Sequence, residues 1–240
     1  MARSMRATCL LLAAAATTIH GKPTIHDYDD SLFHFKSRPD IKAPKYHVEV
    51  YNKSAISPGY WVLGPYETLN MADEMLEGWI GPAVYDGDGM LVYSGAPDFD
   101  NSNTEDFKLS NVAGEDMFTV MDQSHWRGVI MDRHYEIKRR IKVVGPGGNF
   151  NSHEFNFVEN GTRALVVYNH GNAASEEESA TVGFKGNCKR SCNGIAEYDT
   201  TTWDITWDWD SCGNIMLNES TVDKVRPLSA GRSSAIPPFR

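Results

Sequence analysis

Cysteine is scarce in this chain, four in 240 residues, and Cys9 falls in the leader described below. That excludes a disulfide-dense scaffold and leaves Cys188, Cys192 and Cys212, enough for one disulfide with a thiol to spare, in any pairing. Zinc held by Cys188-x-x-x-Cys192 is the sharper alternative, but no histidine lies nearby at ligand spacing, so a disulfide is the expected use. Long apolar runs are also missing. The uncharged stretch at residues 7–16 has 10 residues, far short of the roughly 20 needed to span a bilayer, and no second segment comes closer. No window of 12 or more residues shows helical periodicity, so helix is expected to be minor. Gly145-Pro146-Gly147-Gly148 is not followed by Lys-Ser/Thr and a helix, so no phosphate-cradling loop and no nucleotide cofactor are expected. Asp86-Gly87-Asp88-Gly89 has the look of a calcium loop, yet no oxygen ligand follows near Met90 and no Glu near Pro97, so it reads as a tight turn and no metal is expected.

Positive charge is in short supply as well: 23 Lys and Arg stand against 32 Asp and Glu, a net −9. Residues 1–21 begin with Arg3 and Arg6, continue through the uncharged Leu/Ala run and end in small and polar residues, the pattern of a secretory signal peptide. Its removal takes Lys and Arg from 23 to 21 against 32 acids, a net −11, which repels phosphate backbones and anionic lipid. Nucleic acid is therefore an unsuitable partner, and a secreted or secretory-pathway protein without a membrane span is expected. Asn-x-Ser/Thr sequons at Asn52, Asn160 and Asn218 agree with glycosylation on that route.

What the chain does have is β grammar. After a polar leader at residues 22–44, residues 46–51 and 59–63 are β-rich and separated by a turn, which predicts a hairpin and strands from about residue 45. Three times an apolar strand ends at an aspartate (Asp86, Asp132, Asp199), crosses a polar turn and returns as a second strand. The aspartates are 46 and 67 residues apart, the longer interval spanning a polar insertion at residues 172–190. A degenerate β repeat of this length is the signature of propeller blades, and residues 45–220 supply about four at most. The expected fold is all-β, a partial β-propeller of antiparallel blades. An unclosed array exposes a strand edge, so self-association is expected. Trp203, Trp207 and Trp209 recur at period 2 and are expected to be sheet core. Residues 221–240, rich in Pro, Ser and basic residues, read as a disordered tail.

The functional reading centres on residues 149–170. Two β runs, 153–158 and 164–168, flank a loop containing Asn160-Gly161 and predict a hairpin. His153 shares a strand face with Phe155 and Phe157, at the entry of a buried strand, and is the leading site residue. Glu154 is a candidate to orient an imidazole, although it has the opposite strand parity. His170, with Asn169, is placed near the rim at the far end of the hairpin. His125, Trp126 and Arg127 precede a strand and are assigned to a loop.

Taken in order, Gly81-Pro82 through Tyr85-Asp86, Leu91-Val92-Tyr93-Ser94, Asp132 with Tyr135-Glu136, His153-Glu154-Phe155 with Gly161-Thr162-x-Ala164-Leu165, and Glu197-x-Asp199 with Trp207-x-Trp209 resemble the fungal branch of the arylsulfotransferase family. The resemblance covers roughly residues 33–220 and corresponds to the N-terminal part of the family pattern; the family's later Trp-x-Leu-Gly-Gly and Gln-His stretches have no counterpart after Glu219. It implies a six-bladed propeller that moves a sulfo group between phenolic compounds through a histidine, without a nucleotide cofactor. By the resemblance His153 lies in the family's histidine-acid hairpin, whose histidine helps bind the sulfo group, while the nucleophilic histidine is expected in the Gln-His stretch that has no counterpart here. With Glu154 and His170 from the strand reading, the candidate catalytic residues are His153, Glu154 and His170, acting on an aryl sulfate or a phenolic secondary metabolite. The alternative expectation is a non-catalytic propeller-like binding protein or a truncated family member.

Overall fold

The structure, a computed structural model, describes residues 30–65 and 78–219. The predicted signal peptide and the tail lie outside the described residues. Within them the protein is all-β, with three antiparallel sheets and two short helices. The first sheet contains β1 (Trp61–Leu63), β2 (Ala83–Tyr85) and β3 (Leu91–Ser94); the second β4 (Thr104–Val112), β5 (Glu115–Asp122), β6 (Arg127–Met131) and β7 (Ile137–Ile141). The third contains β8 (Phe155–Val158), β9 (Arg163–Ala173), β10 (Lys189–Asp199) and β11 (Ile205–Asp210). In each sheet every strand pairs with its neighbour in sequence, so each is an up-and-down meander.

The turn chemistry read from the sequence is the chemistry that forms these hairpins. Asp86 Oδ1 accepts the backbone N–H of Asp88 and Met90, Asp132 Oδ1 those of His134 and Glu136, and Asp199 Oδ1 those of Thr201 and Thr202. Each aspartate thereby satisfies donors that the tight turn leaves unpaired, which is why the same residue type recurs at each strand end. The Asn160-Gly161 turn is likewise present, with β8 and β9 in register from Val158 opposite Arg163 to Phe155 opposite Val166. Glu159, Asn160 and Gly161 all have positive φ. Gly161 is required there twice over: its φ is +77°, and a Cβ would lie 2.3 Å from the Ala113 nitrogen in the β4–β5 turn.

Two apolar clusters join the sheets in series. Val84 and Phe99 pack with Phe107, Val120, Val129 and Met131 between the first and second sheets. Met121, Ile130 and Ile141 pack with Phe155, Val166, Tyr168 and Tyr198 between the second and third. Alternation along β9 (Ala164, Val166, Tyr168) and β10 (Cys192, Ala196, Tyr198) supplies the inner face of the third sheet.

Three expectations are corrected. Residues 46–51 form no strand, and β1 begins only at Trp61; the stretch alternates, but it finds no partner for its backbone groups in a sheet, which propensity cannot guarantee. The tryptophan stripe is not sheet core. Trp203 sits at positive φ in the β10–β11 turn and packs against the cluster around Phe155, whereas Trp207 is 52% exposed because β11 is the outer strand of its sheet. His153 does not begin a buried strand: β8 starts at Phe155, and the His153 side chain is 74% exposed. The leader, by contrast, is engaged over its described part, with Leu32 and Ala43 buried and Phe33 N–H donating to the Ala43 carbonyl.

Candidate functional site

The segment that leads into β8 lines an open cleft of about 480 Å³. His153, Ser152, Asn151 and Phe150 form one wall; Gln123 and Trp126, from the β5–β6 turn, and Asn169, from β9, complete it. The sequence folds this way because two acids on a bulge of β4 reach across and hold the segment. Residues 105 and 108 of β4 are in register with 121 and 119 of β5, so residues 106 and 107 both oppose Val120. Asp106, at φ 53°, turns its carboxylate to accept Phe155 N–H at 2.6 Å and to pair with Lys108 Nζ at 2.7 Å, and Lys108 also donates to Asn156 Oδ1 at 2.5 Å. Burial pushes the Asp106 carboxyl up, against the opposing effects of Lys108 and the Phe155 N–H. Its neighbour Glu105 accepts the hydroxyl of buried Ser152 at 2.5 Å.

The opposite lip is held by Asp122. Its fully buried carboxylate accepts Ser102 Oγ at 2.9 Å and Arg127 Nε at 2.8 Å and contacts His125 Nδ1 at 2.9 Å. A carboxylate this deeply buried is tolerated because cationic and hydrogen-bonding groups surround it. The cluster closes the turn at residues 123–126 and projects Trp126, whose ring stacks on Phe150 at 6.1 Å between centroids and 6° between planes. Sequence reasoning assigned His125, Trp126 and Arg127 to a loop and missed Asp122. The signal was an Asp and an Arg flanking a short turn with a histidine inside it, a cross-strand ion pair in the making, since Asp122 and Arg127 are register partners.

His153 enters the cleft with a defined tautomer. Asn151 Oδ1 accepts the His153 backbone N–H at 2.9 Å and lies 2.5 Å from its Nδ1. An amide oxygen only accepts, so Nδ1 carries the proton; in neutral imidazole the Nε2 lone pair is then available. Nε2 lies 3.9 Å from Glu105 Oε2. Glu154 does not orient it: its Oε2 accepts from Asn156 Nδ2 at 2.5 Å. Asn169 faces the cleft, but His170, with the opposite strand parity, pairs with Asp210 Oδ2 at 2.9 Å away from His153. The structure thus brings His153 and Asn169 to one cleft, which His170 does not line. The sequon residues Asn52, Asn160 and Asn218 are all exposed.

Cys192 and Cys212 are disulfide-bonded, with Cα atoms 5.4 Å apart, and Cys188 is a free buried thiol. This resolves the open pairing and sets aside zinc held by Cys188 and Cys192, because Cys192 is bonded elsewhere and Cys188 packs against Ser179 Oγ at 3.4 Å. No helix among the described residues is long and apolar enough to cross a membrane. No protein-family model, curated protein or solved structure matches the chain. The arylsulfotransferase resemblance rests on the quoted motifs alone.

Proposed function

We propose that this chain is a secreted, propeller-like binding protein whose cleft takes a planar phenolic ligand. The observation that carries the reading is the Trp126–Phe150 stack in a cleft whose polar side chains are amides, one hydroxyl committed to Glu105 and one imidazole. A volume of about 480 Å³ falls within the roughly 300–1,000 Å³ of small-molecule sites. A ring laid against Trp126 extends the stack and gains about 2 kcal/mol from burial and aromatic contact. The free Nε2 lone pair of His153 accepts a phenolic O–H, and Asn151 and Asn169 supply further neutral partners. The three serial meander sheets are read as consecutive blades, with the cleft at the junction of the second and third.

Sulfo transfer through His153 is the second reading, favoured by the same Nε2 lone pair, which suits a nucleophile. It also asks for cationic groups on the non-bridging oxygens. Among the described lining residues none is Lys or Arg, and Arg127 is committed to Asp122. Binding is therefore preferred. Isothermal titration of the whole chain with 4-nitrophenol and 4-nitrophenyl sulfate tests it: binding is expected, and Trp126→Ala should weaken it at least tenfold. Absence of binding, or an unaffected Trp126→Ala, overturns the proposal. Nucleotide-independent transfer of the sulfo group from 4-nitrophenyl sulfate to a phenol acceptor, with release of nitrophenolate and lost in His153→Ala, would establish the second reading instead.

A further inference from the structure

On the third sheet, where His170 follows the cleft-lining Asn169 but is not itself part of the cleft lining, four side chains of metal-ligand type converge. His170 on β9 and Cys192 on β10 are directly opposed in register. Asp210 closes β11, and Cys212 follows in α2 (Ser211–Asn214). One ligand atom from each of the four lies within 4.8 Å of all the others. We propose that, once the Cys192–Cys212 disulfide is reduced, these four residues form a tetrahedral zinc site, so that the pair alternates between a disulfide and a Cys₂HisAsp metal centre.

The geometry suits the ion. Ligands at about 2.0–2.1 Å for nitrogen and oxygen and about 2.3 Å for sulfur, set at tetrahedral angles, lie roughly 3.3–3.8 Å from one another, which fits inside the observed 4.8 Å limit. His170 Nε2 and Asp210 Oδ2 already stand 2.9 Å apart, so a small movement admits a cation between them. Asp210 Oδ1 accepts the Cys212 backbone N–H at 2.8 Å, which fixes the carboxylate while leaving Oδ2 as donor and holds the cysteine loop beside it. Cys192 is buried at 2% exposure while the other three ligands are partly exposed, giving a closed floor and an entry side. Two thiolates with one imidazole and one carboxylate make a borderline-soft set, which selects zinc over magnesium or calcium.

The redox step balances without further groups. A dithiol reductant delivers two electrons and two protons to the S–S bond, giving two protein thiols and the reductant's own disulfide. Zinc then displaces two thiol protons as both Zn–S bonds form. In reverse, a small-molecule disulfide such as oxidised glutathione takes two electrons from the zinc-bound thiolates, is cleaved to two thiolates, and releases Zn²⁺ as the protein disulfide re-forms.

The test uses the full chain, reduced with a phosphine under anaerobic conditions and freed of reductant, then titrated with Co²⁺ and Zn²⁺. One equivalent of Co²⁺ should give a thiolate charge-transfer band and the intense visible bands of tetrahedral cobalt, and zinc should displace it. Untreated disulfide-bonded protein should give neither. His170→Ala and Asp210→Asn, which leave both cysteines in place, should each weaken the zinc affinity at least tenfold, while Cys188→Ala should not change it. Oxidised glutathione should release the zinc. A reduced chain that shows no tetrahedral spectrum, folded or not, overturns the proposal. So does an affinity unchanged by both His170→Ala and Asp210→Asn, or one lost in Cys188→Ala.

Discussion

Replacing Asp106 by alanine should loosen the segment that carries the cleft, and the size of the effect follows from what the carboxylate holds. It accepts the N–H of fully buried Phe155 at 2.6 Å and pairs with Lys108, and its side chain is only 14% exposed. Truncation orphans the Phe155 N–H, which costs about 1–3 kcal/mol, and leaves Lys108 with Asn156 alone, about 1 kcal/mol more. Because burial pushes the Asp106 carboxyl up, holding it ionised already costs something, and the net loss belongs near the middle, about 3 kcal/mol. For a chain of this size that lowers Tm by roughly 6–12 °C. Asp106→Asn keeps an acceptor for Phe155 and should lose about 1 kcal/mol. Asp106→Gly loses the latch but relieves the positive φ, so it should be about 1 kcal/mol more stable than Asp106→Ala. Urea and thermal unfolding give the energies, and hydrogen exchange at the Phe155 amide locates them. An Asp106→Ala variant within about 0.5 kcal/mol of the parent, with Phe155 still protected, would refute the reasoning.

Gly161→Ala should destabilise by about 2–4 kcal/mol, since it combines a positive φ with a Cβ 2.3 Å from the Ala113 nitrogen; unfolding by urea checks it, and a neutral change would show that the β4–β5 turn yields. Hydrogen bonding to Lys138 holds the Asp132 carboxyl down from 3.8 to about 2. A depressed carboxylate contributes stability that is present above its unfolded value and lost as pH falls through the folded one, so an acid titration from pH 4 to pH 2 should unfold the parent more steeply than Asp132→Asn. Peptide mapping without reduction should recover Cys192 linked to Cys212 and Cys188 as a free thiol; opening the 20-residue loop in Cys192→Ser should cost about 3 kcal/mol by calorimetry.

The sequence alone determined what is local in this protein. Strand parity put Ala164, Val166 and Tyr168 on a common face, although the equally apolar Leu165 and Val167 left the choice of inner face to the structure; the recurring aspartates at 86, 132 and 199 and the Asn-Gly pair at 160 and 161 marked the turns. These features depend on residues a few positions apart, so they survive without knowledge of the rest of the chain. Tertiary structure decided what depends on distant partners. It left residues 46–51 out of the sheets and put Trp207 on an outer strand. It also turned His170 toward Asp210 while Asn169, one residue earlier, faces the cleft with His153. The latch from Asp106 to Phe155 spans 49 positions, and the Tyr198 hydroxyl that accepts Val144 N–H spans 54. Pairings of that separation leave no periodic trace in sequence, because the spacing that matters is set by how the second sheet packs on the third and not by the pitch of either strand.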